Sequence, residues 1–141
     1  MKNLARGVVV GRICALLLFF GILLAEDGQN FPNIMLELDK SSKNMQDAFL
    51  KDNYELIEIR QRQMKAAIKD LKSIPVHYYL NSKTKEFENI VNLRIVRIDE
   101  ALDLMGKQLQ KRKTQDAFET FLSILRECNG CHVIFQGHTG E

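Results

Sequence analysis

Apolar residues recur at three- and four-residue intervals through most of this chain, and that periodicity limits its fold more than any other feature. The clearest run extends from about Thr84 to Arg112. There Phe87, Ile90, Val91, Ile95, Ile98, Leu102, Met105 and Leu109 fall along one side of a helix. Glycine is absent between Gly28 and Gly106 and strand signals are sparse, so an all-α fold is expected. An earlier stripe of Ile34, Met35, Leu38, Met45, Ala48 and Phe49 predicts a first helix. It opens at Pro32 or Asn33, with proline in the first turn, and is broken by Lys51-Asp52-Asn53. A second helix, from about Tyr54 to Ile74, carries Leu56, Ile57, Met64, Ala67, Ile68 and Leu71 and is closed by Pro75. A connection with His77, Tyr78 and Tyr79 leads to the long helix. The turn at Lys111-Arg112-Lys113 then gives way to Thr114, a fair N-cap, and to a fourth helix with Phe118, Phe121, Leu122 and Leu125.

Four amphipathic helices with mostly short connections fit an antiparallel up-down-up-down four-helix bundle. That topology gathers the start of the first helix, the second connection and the finish of the fourth helix at one end. The other two turns lie about 25–30 Å away at 1.5 Å per residue.

Lys2, Arg6 and Arg12 precede an apolar stretch from Ile13 to Leu24, followed by Ala25, Glu26 and Asp27. A basic start, an apolar middle and a small residue at the cut predict a signal peptide over residues 1–25, with the mature domain over 26–141. Leu23 is large for its place before the cut. An uncleaved anchor, lengthened by Val8 to Val10, is the alternative. Cys14 would leave with the peptide. Without it the 20 basic residues become 17 against 18 acidic, a formal charge of −1, which does not suggest nucleic acid as a partner. Export implies the periplasm, an oxidising compartment where Cys128 and Cys131 would pair unless otherwise used.

Cys128-Asn129-Gly130-Cys131-His132 reads C-x-x-C-H, the attachment pattern of a c-type haem. Residues three and four apart share a helix face. Cys128 and Cys131 can therefore form thioethers to one porphyrin while His132 ligates its iron from the proximal side. A redox disulfide wants a βαβ context, which is missing. A tetrahedral zinc site needs four ligands, or three and a water, and only His132 and His138 stand near. One covalently bound haem c is the expected cofactor.

What meets the other face of the iron decides the function. Met35 is the first candidate, because a thioether there raises the potential and saturates the metal. Met35 also lies on an apolar stripe, where methionine usually fills core space. His77 is the second candidate, but reads better as a polar loop residue or a hydrogen-bond partner for a propionate. Met45 lies about 15 Å further along the helix and reads as core; His138 reads as tail. Arg126 is close enough in sequence to pair with a propionate. Lys107, Lys111, Arg112 and Lys113 read as a solvated helix end rather than a docking patch. No Ser/His/Asp set, phosphate loop or carboxylate pair is present, so the chain is not expected to be an enzyme.

These residues together resemble the class II c-type cytochromes, the cytochrome c′ family: an exported chain, four helices, and a single C-x-x-C-H, Cys128 to His132, late in the last helix. The likeness spans about Pro32 to Gln136 and includes the aromatic Phe135 three residues past the histidine. The family's distal residue precedes an acidic residue of the first turn by about seventeen positions, and counting back from Asp52 reaches Met35. The resemblance implies a haem at one end of the bundle, Met35 as axial ligand, and one-electron transfer with redox partner proteins it does not name. Members with a bulky apolar residue at that position leave the iron five-coordinate and bind small gases such as NO and CO, which is the alternative function. Members often form homodimers through their first helices. The chain departs from the family at Gln136, where a basic residue is frequent, and at Asn129-Gly130, where a basic residue is common.

Overall fold

The structure, a computed structural model, describes residues 30–136. The expected signal segment 1–25, with Cys14, and the tail residue His138 lie outside the described residues. Four helices follow in order: α1 (Phe31–Leu50), α2 (Tyr54–Ser73), α3 (Glu88–Gln110) and α4 (Thr114–Gln136). Two single 3-10 turns, Val76–Tyr78 and Lys85–Phe87, lie between α2 and α3. The described residues contain no strand, and none of their helices is long and apolar enough to cross a membrane.

Cross-helix contacts fix the directions. Gln61 donates to the Leu102 carbonyl at 2.8 Å and Lys65 pairs with Asp99 at 2.6 Å, so α2 and α3 run antiparallel. Thr120 donates to Gln108 at 2.9 Å and Arg94 to Glu127 at 2.8 Å, so α3 and α4 do too. The fold is the all-α, antiparallel four-helix bundle that the periodicity predicts.

The two short turns share one design. Asp52 and Arg112 stand at φ 50° and 57°, left-handed positions that end α1 and α3. Beyond them Asn53 donates to the Ala48 carbonyl at 2.9 Å and Lys113 to that of Gln108 at 2.9 Å, the paired bonding that satisfies the last helix carbonyls. Asn53 then caps α2 by accepting from the Leu56 N–H at 3.1 Å. Part of the basic run is structural: the Arg112 guanidinium lies 3.9 Å from the centre of the Tyr54 ring, and Lys113 pairs with Asp116 at 3.3 Å.

Helix α3 begins at Glu88, four residues later than its stripe suggests. The Asn81 side chain accepts from the N–H groups of Lys83 at 2.9 Å and Thr84 at 3.0 Å, and the buried Thr84 hydroxyl accepts from the Asn81 N–H. These local bonds compete with helix formation and hold residues 81–84 as a turn. Ile90, expected in the core, is exposed. It is one residue, 100° of rotation, from the line of Val91, Ile95 and Leu102 that is buried.

Consecutive helices pack side by side, whereas the backbones of α1 and α4 approach less closely. These two meet through rings: Phe49 of α1 lies 5.1 Å from Phe118 and 5.7 Å from Phe121 of α4.

Asp99 joins α3 to α2 by accepting from Lys65 and Lys72, each at 2.6 Å. Burial disfavours its charge, but the two ammonium hydrogen bonds outweigh that and hold its carboxyl below the usual range. A lowered folded-state pKa contributes stability above the unfolded-state value, and that contribution is lost as pH falls through the folded value. Asp99→Asn is expected to lower stability at neutral pH by about 1 kcal/mol. Denaturant titrations of variant and wild type should converge in strong acid; a gap that persists there would contradict this role.

Candidate functional site

All five residues of the C-x-x-C-H segment lie within α4. At 100° per residue, Cys128 continues the buried line of Phe121 and Ile124. Cys131 turns toward the side of Glu127, which faces α3 through Arg94. His132 turns the other way, to the side of Phe118, which faces α1 through Phe49. Both cysteines are half-buried against the core and His132 is exposed.

The Phe49–Phe118 contact sets the height of α1 against α4. Met35 lies fourteen residues before Phe49, and His132 fourteen residues after Phe118. Each is therefore about 21 Å from that contact, toward the same end of the bundle. Met35 also shares the side of α1 that carries Phe31 and Phe49, and is half-buried against the core. Met35 and His132 thus lie at one level on the two walls of the more open α1–α4 groove.

The connection between α2 and α3 closes this end. The Tyr79 ring stacks on Phe31 at 4.4 Å with 12° between planes. Its hydroxyl is buried with no hydrogen-bond partner among the described residues. Burial, helped by the neighbouring Cys131 and Glu88, pushes its pKa up to about 12, so it stays protonated. The start of α1, this connection and the end of α4 do meet, as the topology requires.

The other sequence candidates separate cleanly. His77 is exposed, its ring 4.5 Å from that of Tyr78 and tilted 35° to it, and 3.9 Å from Glu88, so it is a surface residue of the connection. Met45 is fully buried core. Arg126 is exposed, and Phe135 is half-buried against the core.

The cysteines are free and not bonded to each other. Burial pushes both thiols up to about 11; the nearby Cys131 adds to the rise at Cys128, and Arg94 opposes it at Cys131. A redox dithiol works through a lowered pKa, so this environment disfavours that use. The described residues hold no group of three His, Cys, Asp or Glu placed for a bare metal ion. Two thiols and an imidazole on α4, with the Met35 thioether at the same level on α1, would instead suit a haem c, and the residues present fit that group.

Sequence reasoning did not single out Arg94. It donates from α3 to Glu127, the residue before Cys128, and its guanidinium lies against Gly130. No motif marks it; the only signal is a charged residue beside the buried line of α3. Tyr79 was visible only as one aromatic of a connection.

Compared with protein-family models, curated proteins and solved structures, the chain matches none. What the site can do is decided by its own residues.

A buried hydroxyl without a partner costs about 1–3 kcal/mol. Tyr79→Phe keeps the stack on Phe31 and removes that atom. It is expected to leave stability unchanged or raise it by about 1 kcal/mol, read from denaturant unfolding. A clear loss would mean that the hydroxyl has a partner.

Proposed function

We propose that this chain is an exported monohaem c-type cytochrome that carries single electrons in the periplasm and performs no catalysis of its own. The observation that supports this reading is the placement of Met35 and His132, at one level across the α1–α4 groove, beside the two free thiols of the motif. A haem held there supplies a one-electron couple between ferrous and ferric iron. Cys128 and Cys131 hold it covalently as thioethers. His132 presents an imidazole nitrogen from α4, and Met35 presents a thioether sulfur from α1. With His132 and Met35 both holding its iron, the group would bind no small molecule, and a methionine sulfur would favour the reduced state. The stacked rings of Phe31 and Tyr79 join the start of α1 to the connection at this end. The partners are other redox proteins.

The visible spectrum of the ferrous protein, with and without carbon monoxide, tests the axial assignment. The wild type is expected to be low-spin and almost unchanged by the gas, and Met35→Ala to bind it fully. A high-spin wild type that shifts completely would remove Met35 as a ligand and make gas binding the function.

A further inference from the structure

Gly130 has no conformational reason to be glycine. It lies inside α4, and no described glycine has a positive φ. Glycine in a helix interior weakens folding about two- to fivefold relative to alanine. The reason is space. A Cβ built on Gly130 would overlap Cζ and Nη1 of Arg94 and come within 2.9 Å of Nη2. The guanidinium ends a flexible side chain, so an alanine would displace Arg94 rather than the backbone. That displacement would break the 2.8 Å bond from Arg94 Nη1 to Glu127 Oε2. Arg97, 3.7 Å from the other carboxylate oxygen, would be left as the sole counter-charge of Glu127 among the described residues. The guanidinium is also half-enclosed: the Arg94 side chain is 29% exposed, and its Nε is buried without a partner among the described residues.

We propose that Arg94 is the positioning residue of the attachment segment. It braces residues 128–132 from α3 and holds a fixed positive charge on the Glu127 and Cys131 side of α4, and Gly130 is the residue that admits it. This rests on the haem reading above. A positive charge near the iron disfavours the more positive ferric state, so Arg94 raises the midpoint potential.

The test uses the full chain matured in a host that attaches haem c, with a spectroscopic redox titration and denaturant unfolding of each variant. Arg94→Ala is expected to lower the midpoint potential, and Arg94→Lys, which keeps the charge, to lower it less. Gly130→Ala should shift it in the same direction as Arg94→Ala, and the double variant should match Arg94→Ala alone. In unfolding, Gly130→Ala should be less favourable in wild type than in the Arg94→Ala background, and only in that background should it show the full two- to fivefold helix gain of an unhindered site. Should Arg94→Ala fail to accumulate, Arg94→Gln, neutral and long, carries the same prediction. Additive effects, or an unchanged potential in haem-loaded Arg94→Ala, would overturn this proposal alone. A wild type that matures without haem would overturn it together with the function it rests on.

Discussion

The ring contact of Phe49 with Phe118 and Phe121 registers α1 against α4, and the proposed site depends on that register. These two helices are the first and last of the bundle and are not joined by a turn, so only side chains fix their relative height. A slip of one residue would move Met35 about 1.5 Å along the groove relative to His132 and rotate it by 100°. Aromatic rings suit this task. Each buries a large apolar area, and their edge and stacked geometries are specific. The pairs α1–α2, α2–α3 and α3–α4 are anchored by packing along their lengths, whereas α1 and α4 rely on these rings.

The two ends of the bundle are built differently. At the turn end, both left-handed turns satisfy the closing carbonyls, Arg112 covers Tyr54, and the Tyr54 hydroxyl lies between the Leu109 carbonyl and the Glu58 carboxylate. At the motif end, Tyr79 Oη and Arg94 Nε are buried without partners among the described residues, and a histidine is left exposed. A third such atom, Arg60 Nε, belongs to α2, where another nitrogen of the same group donates to Gln63 at 2.6 Å. Unsatisfied buried groups are rare in native proteins and each calls for a reason. Places where local rules are broken tend to be functional, and here two of them adjoin the same five-residue segment.

Much of this was legible in the sequence. The spacing of Val91, Ile95, Ile98, Leu102, Met105 and Leu109 defines α3, and Asn53 and Pro75 mark where α2 starts and stops. The topology alone brings Met35 and the motif to one end. The misses have local causes. The start of α3 yields to side-chain bonds between Asn81 and Thr84, which periodicity does not register. Ile90 belongs to the apolar count but lies off the buried line by one residue. The role of Gly130 was hidden because a glycine inside a motif reads as a spacer; only the Arg94 side chain arriving from another helix shows what its missing Cβ makes room for.

The central claim is that Cys128 and Cys131 carry one haem. Intact mass and peptide mapping of the full chain, produced in a host that matures c-type cytochromes, test it most directly. The account predicts a gain of one haem, located on the peptide that contains both cysteines and absent from a Cys128→Ala/Cys131→Ala variant. An unmodified mass, with the two cysteines free or joined as a disulfide, would contradict it.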